Sequence, residues 1–310
     1  MTGDIPDVVI IGEPLVEFSA ADPLTHAETF RLSFSGDALN TAVAAAAGGA
    51  HVALVTRVGE DEFGDRLVDF AARRGVDTRW MEHGPGHTGA YVVGADPLGT
   101  RAFAYLRAGS AASRLSPADV DRAPVAEAGA VLLSGITAAL SDSCAAAVVH
   151  AAEKARGTVV YDPNFRGRLT TPGDARAVLA AVAPRAALVL PSCPADTSAL
   201  LDTTDPEEAA EACLELGAAA VAVTCGADGV HLASGADRRW LPAVPAPEIV
   251  DATGAGDAFG GALTARLARG ASLVAAVRGG AAAASICLGG QGGTGRVATA
   301  DEIERLLAAG

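Results

Sequence analysis

The segment Asp251-Ala-Thr-Gly-Ala-Gly-Asp257-Ala-Phe-Gly-Gly261 combines glycines with acids in a pattern suited to handling an anion. Glycine lets consecutive backbone N–H groups turn toward one point, and a helix start adds positive potential there. Asp257 falls in the first turn of the helix that this segment opens. A carboxylate with an ordinary pKa of about 3.9 at a helix N-terminus is expected to be ionised at neutral pH. Beside a phosphate-sized anion hole, such an acid is placed to take the proton of an attacking hydroxyl. The same residues would also make a plain capped helix, with Thr253 as N-cap and Asp257 complementing the dipole. That second reading leaves Gly254, Gly256, Gly260 and Gly261 unexplained, because an interior glycine costs a helix about 1 kcal/mol.

A second constellation lies at 88–107, which reads as a hairpin around the turn Ala95-Asp-Pro-Leu-Gly99. Period-2 alternation puts Arg101, Phe103, Tyr105 and Arg107 on one face and Ala102, Ala104 and Leu106 on the other. Two of the three tyrosines in the chain, Tyr91 and Tyr105, belong to this hairpin. Phenolic hydroxyls with a guanidinium fork suit a ligand that carries hydroxyls and a carboxylate. An ordinary solvated strand face accounts for the same pattern.

Three shorter segments carry polar residues at the ends of elements. Gly36, Asp37 and Asn40 in Ser35-Gly-Asp-Ala-Leu-Asn40 are helix-start residues. Asp162-Pro-Asn-Phe-Arg166 follows a strand, where an open α/β sheet binds its ligands, although a surface position is the commoner fate of an arginine. Val223-Thr-Cys-Gly226 with Gly229 reads equally well as a ligand-binding turn or as a hairpin turn into Val230.

These residues must be positioned by the rest of the chain. Short β-branched runs at 8–11, 51–58, 130–133, 158–161, 187–190 and 220–224 alternate with helical patterns at 38–47, 61–74, 142–156, 174–182 and 207–216. That alternation implies an α/β fold with a parallel sheet covered on both faces. The segments 13–35 and 88–107 break it and together form a small β lid beside the sheet. The expected division is a core of 1–12, 37–86 and 109–310 and a lid of 13–36 and 87–108.

Composition narrows the function classes. The 310 residues, half of them hydrophobic, suffice for a large core. A net charge of −14 argues against nucleic acid and anionic membranes as partners, leaving small molecules. Five widely spaced cysteines without a C-x-x-C suggest neither a disulfide framework nor a zinc site, so reduced thiols and a cytoplasmic location are expected. Neither a signal peptide nor a membrane span is recognisable at the N-terminus. Lys154 is the only lysine among 23 Lys and Arg residues, and no G-x-x-x-x-G-K-[ST] occurs, so phosphates would have to be held by backbone amides, arginine and metal. Gly290-Gln-Gly-Gly-Thr-Gly295 satisfies G-x-G-x-x-G but follows a helical pattern rather than a strand, which removes the dinucleotide-binding context.

The Asp251–Asp257 run resembles the D-x-x-G-A-G-D signature of the ribokinase-like, PfkB-type carbohydrate kinases. Nearly the whole chain resembles one branch of them, the 2-keto-3-deoxygluconate kinases, through Gly12-Glu-Pro-Leu15, Thr88-Gly-Ala-Tyr91, Tyr105-Leu-Arg-Ala-Gly-Ser-Ala111, Leu133-Ser-Gly-Ile-Thr137 and the Asp162 segment. The resemblance implies a three-layer α/β/α sandwich with a mainly parallel central sheet and a small β lid. It implies ATP and Mg2+ as cofactors, a monovalent cation as a further possibility, a sugar-acid acceptor, and homo-oligomers through the lid. By the same resemblance Asp257 is the catalytic base and the N–H groups of Ala255, Gly256 and Asp257, after Gly254, form the anion hole. Gly36, Asp37, Asn40, Tyr91, Tyr105, Arg107 and Arg166 contact the sugar acid, and Asn164, Ser192, Thr224, Gly226, Gly229 and Thr253 lie on the nucleotide side. The chain departs from the family where N-x-x-E orders water around the metal: Ser192-Cys-Pro-Ala195 has no acid there, and Asp196, one residue later, is the candidate replacement. Alternatives within the family are a neutral-sugar kinase (ribose or fructose), a nucleoside kinase and a non-catalytic binding protein.

Overall fold

The computed structural model describes residues 5–94 and 102–309; the expected turn at Ala95–Gly99 and Arg101 lie outside the described residues. The central sheet runs in the order Asp237–Leu241, Val230–Ser234, Ala220–Thr224, Leu188–Val189, Thr158–Asp162, Ala130–Ser134, Val8–Ile11, Val52–Gly59 and Val76–Asp77, with Met81–Gly84 also pairing with Val52–Gly59. Its pairings are parallel except for the two antiparallel ones that add Val230–Ser234 and Asp237–Leu241 at one edge.

The strands are unbroken apolar runs because both faces are covered. Val8, Val9, Ile10 and Ile11 are all fully buried. Val9 and Ile11 pack into one core with Val120, Val148 and Leu179, whereas Val8 and Ile10 pack into another with Leu39, Phe259 and Leu263. Strand alternation thus feeds two helical layers.

Four strands form a separate small sheet in the order Arg31–Ser35, Leu15–Ser19, Ala90–Gly94 and Ala102–Leu106. Its pairings are antiparallel at the two edges and parallel between Leu15–Ser19 and Ala90–Gly94. The hairpin 88–107 is therefore present as a strand pair, with Tyr91 opposite Tyr105.

Close approach of the helices Asp37–Ala47 and Ala255–Ala268 sets the geometry of the site. A Cβ on Gly261 would lie 2.4 Å from the Thr41 carbonyl and 3.0 Å from Ala44 Cβ. Only hydrogen fits between these backbones. Gly261→Ala is accordingly expected to cost about 1–3 kcal/mol through overpacking, read as a lower calorimetric melting temperature; an unchanged melting temperature would show that the helix pair can separate freely.

Candidate active site

A cavity of about 710 Å3 opens where the carboxyl ends of the central strands meet the small sheet. This is the crevice position expected for ligands of open α/β sheets. Of the residues singled out from the sequence, Gly36, Asp37, Asn40, Tyr91, Tyr105, Arg107, Asn164, Arg166, Ser192, Asp196, Thr224, Thr253, Gly254, Gly256 and Asp257 line it. Ala255, Gly226 and Gly229 do not.

At its base the helix Ala255–Ala268 begins on Gly254, which has φ 81° and no side-chain cap. Gly254, not Thr253, occupies the N-cap, because Thr253 spends both its N–H and its hydroxyl on Asp251 Oδ1, at 2.9 and 2.8 Å. The four glycines of the motif have separate causes. Gly254 takes a left-handed backbone and sits where a Cβ would meet Gly293 Cα at 2.6 Å, Gly261 admits the neighbouring helix, and a Cβ on Gly260 would make only ordinary contacts. A Cβ on Gly256 would meet nothing within 4 Å, so that position opens onto the cavity. The Ala255 N–H turns back to the Ala252 carbonyl at 3.3 Å. Of the three amides expected to form an anion hole, that of Ala255 is therefore already engaged within the chain.

Asp257 sits in the first turn and accepts a 2.7 Å hydrogen bond on Oδ2 from Asn40 Nδ2. Asn40 is oriented in turn by Ser35, whose hydroxyl lies 3.4 Å from Asn40 Oδ1. Through Asn40, Ser35 thus supports the acid. Its ionisation differs from the sequence expectation. Burial, followed by the nearby Asp37 carboxylate, pushes the Asp257 carboxyl up to about 7, against the lowering effects of Asn40 and Arg166. Desolvation is the largest influence here, and a carboxyl near 7 is poised for proton transfer at neutral pH.

Asp37 is raised by the same burial, and its Oδ2 is buried without a hydrogen-bond partner. A buried unpartnered carboxylate oxygen facing a cavity calls for a donor from a ligand, such as a hydroxyl. Asp162, which ends its strand, also lines the cavity and is raised well above its usual value by burial, then by Asp196 and Asp257. No role was read from the sequence for Asp162, although the D-x-N-x-R segment contains it.

Two residues expected to face the ligand are partly committed to the protein. Arg107 is buried and ion-paired with the fully buried Glu13, and its guanidinium carbon lies 5.6 Å from the Tyr105 ring centroid. Tyr91 donates its hydroxyl to Glu17, and burial followed by that acid raises its pKa. Glu13 is itself pushed up to about 7, chiefly by burial. Sequence reasoning missed both glutamates. Glu13 stands inside Gly12-Glu-Pro-Leu15, whereas Glu17 had no signal beyond being an acid in an apolar strand. Phe103, Tyr105 and Arg107 share the cavity face, as the alternation predicts, while Leu106 on the other face is 54% exposed. Arg166 is exposed, donates only to the Phe165 carbonyl at 2.9 Å, and has no acidic partner within 4 Å among the described residues.

Asp196 answers the sequence expectation differently. It is 1% exposed, its Oδ1 accepts from Phe165 N at 2.7 Å, and its Oδ2 accepts from Ser192 N and Oγ at 2.8 and 2.6 Å. Most of its acceptor capacity is spent on holding two loops together. Among the described residues no group of three or more His, Cys, Asp or Glu side chains could hold a metal, and no helix is long and apolar enough to cross a membrane. Lys154 binds Asp121 at 3.0 Å and does not line the cavity.

The profile of the pfkB family carbohydrate kinases matches residues 6–300. The chain belongs to that family. It is a carbohydrate kinase with the ribokinase-like fold. Among similar pfkB relatives, a 2-dehydro-3-deoxygluconokinase of Thermoproteus tenax is 35% identical over 97% of this chain and 94% of its own. A 2-dehydro-3-deoxygalactonokinase of Haloferax volcanii is 31% identical over 98% and 97%. A ribokinase II structure from E. coli in complex with ATP and Mg2+ superposes with a TM-score of 0.87 at 25% identity, covering 98% of this chain and 99% of that one.

Behind the pfkB cavity, the loop 290–295 takes a part that its sequence did not disclose. It closes against the back of the helix start at Gly254: Gly292 N donates to Asp251 Oδ2 at 2.8 Å, and a Cβ on Gly293 would meet Asn40 Nδ2 at 2.2 Å. Its glycines permit close packing around the Asp251 turn.

Proposed function

We propose that the protein transfers the γ-phosphoryl group of ATP to a hydroxyl of 2-keto-3-deoxygluconate, also called 2-dehydro-3-deoxygluconate. The observation that carries this reading is one cavity holding Asp257 on an uncapped helix start together with Arg166, a guanidinium without an acidic partner among the described residues. The first arrangement suits a hydroxyl that attacks a phosphate, and the second suits a carboxylate. The relatives named for 2-dehydro-3-deoxy sugar acids support the same acceptor class.

Asp257 takes the proton of the acceptor hydroxyl as its oxygen attacks the γ-phosphorus and the bond to the ADP oxygen breaks. Asn40 holds the carboxylate in place, and Asp37 orders another substrate hydroxyl. The N–H groups of Gly256 and Asp257 receive the charge that spreads over the phosphoryl oxygens. Ser192, Thr224 and Thr253 border the nucleotide side, with Asn164 nearby. Gly226 and Gly229 act one step back. They keep the turn tight through φ of 55° and 116°, and a Cβ on Gly229 would strike the Leu241 carbonyl at 2.3 Å. The ATP and Mg2+ held by the E. coli ribokinase II support both cofactors. Magnesium would supply neutralisation of the phosphate charge; an ion carried mainly by phosphate and water fits this cavity, where Asp196 is taken up by Phe165 and Ser192 and Asp162 is the acid left on hand.

The sign of the pH dependence follows from Asp257. Its ionised form is the base, and its pKa is pushed up to about 7. The kcat/KM is expected to fall as pH drops below about 7 and to level off above it. A profile flat from pH 5 to 8 would remove Asp257 from the rate equation.

A neutral-sugar acceptor is the second reading, favoured by the commitment of Arg107 to Glu13 and of Tyr91 to Glu17. Initial rates with ATP on 2-keto-3-deoxygluconate, 2-keto-3-deoxygalactonate, ribose, fructose and a nucleoside decide between them. Preference for ribose or fructose over every sugar acid would overturn the acid reading and leave the kinase reading standing.

A further inference from the structure

Two cysteines stand on the nucleotide edge of the cavity without a part in phosphoryl transfer. Cys193 follows Ser192 and Cys225 follows Thr224, and Ser192 and Thr224 are paired in parallel by an isolated bridge. Hydrogen bonds from Cys193 N to the Thr224 carbonyl at 2.8 Å and from Thr224 N to the Pro191 carbonyl at 2.9 Å fix that register. Parallel neighbours are about 4.8 Å apart, and the residues just past a paired position point to the same face. This spacing falls within the Cα separation of about 4.4–6.8 Å that a disulfide spans. Both are partly exposed, whereas Cys144, Cys213 and Cys287 are buried.

We propose that Cys193 and Cys225 are a redox dithiol, closed to an intramolecular disulfide by a low-molecular-weight disulfide of the glutathione class, and that closure weakens ATP binding at the same edge. The second half rests on the nucleotide reading of Ser192 and Thr224 given above. Cys193 begins the exchange, because burial, then the neighbouring Cys193 itself, pushes the Cys225 thiol up to about 11 and keeps it protonated. The Cys193 thiolate attacks one sulfur of oxidised glutathione, forming a mixed disulfide and releasing one glutathione thiolate. The released glutathione thiolate takes the Cys225 proton, and the Cys225 sulfur then attacks the Cys193 sulfur and expels the second glutathione thiolate, which picks up its proton from water. Two protein thiols are oxidised, one glutathione disulfide is reduced, and the two thiol protons end on the two glutathione molecules released.

Closure reaches the cavity through the backbone. In the dithiol, Cys193 Sγ donates to the Thr204 carbonyl at 3.2 Å and Cys225 Sγ to the Val223 carbonyl at 3.7 Å. Both contacts are lost when the sulfurs join, and the segments carrying Ser192 and Thr224 are re-fixed against each other. Both of those residues line the cavity.

The full chain is treated with oxidised glutathione, its thiols are counted under denaturing conditions, its peptides are mapped by mass, and ATP affinity is measured by calorimetry before and after. The five thiols are expected to fall by two, with the 193 and 225 peptides linked, and the Kd for ATP to rise about tenfold and recover with dithiothreitol. Cys193→Ser and Cys225→Ser should each keep their ATP affinity under the oxidant. Five surviving thiols, or glutathione left on Cys193 without transfer to Cys225, would overturn the dithiol. A linked peptide with unchanged ATP affinity would overturn the coupling. If the reduced protein does not bind ATP, the nucleotide reading itself fails, and the thiol count still decides the dithiol.

Discussion

Asp257→Asn is expected to lower turnover by about 100-fold or more while melting temperature and ATP affinity stay near those of the unmodified protein. The substitution keeps the volume and the position on the helix but removes the carboxylate assigned to take the acceptor proton. Asn40 already donates to Oδ2 at 2.7 Å, so an amide at 257 must turn its oxygen toward Asn40 and present an N–H to the substrate. A donor where a base is needed opposes the attack instead of assisting it. Single-turnover rates with saturating ATP separate this chemical effect from binding. Turnover within threefold of the unmodified protein would sink the assignment of the base.

The second large effect concerns the substrate. Arg166→Met is expected to lower kcat/KM for 2-keto-3-deoxygluconate by about 10- to 100-fold, because a charge-assisted bidentate contact is worth about 1.5–3 kcal/mol. Activity on a neutral sugar should change little, since no carboxylate is there to be lost. Arg166 is exposed and its hydrogen bond is to a neighbouring carbonyl, so its loss strands no ion-paired acid; because Arg166 also lowers the pKa of Asp257, both substrates are compared well above pH 7, where the base stays ionised. Arg107 would give a mixed result, for its removal strands the buried Glu13. Equal losses on acid and neutral sugars would show that Arg166 positions the loop rather than reading a charge.

Legibility in the sequence followed burial. The strands Val8–Ile11, Ala130–Ser134 and Thr158–Asp162 read as apolar runs because helices cover both of their faces. The edge strand Asp237–Leu241 is Asp-Arg-Arg-Trp-Leu and mostly exposed, so it lacks any apolar pattern and emerges only from its pairing with Val230–Ser234. The turn 226–229 is the hairpin turn that its sequence allowed, leading from Ala220–Thr224 into the antiparallel Val230–Ser234, and Gly226 and Gly229 shape it without reaching the cavity.

By itself the sequence determined the order of strands and helices, the small sheet, the glycine-rich helix start and the family, since these are properties of local patterns and spacing. Tertiary structure decided what each polar group is free to do. Burial, and after it Asp37, 220 residues earlier in the chain, pushes the Asp257 carboxyl up to about 7 from its ordinary value. Arg107 and Tyr91 are held by Glu13 and Glu17, and Asp196 is spent on two loops rather than left open to a metal. Charge, desolvation and hydrogen-bond saturation depend on everything within a few ångströms, and residues distant in sequence supply most of that surrounding.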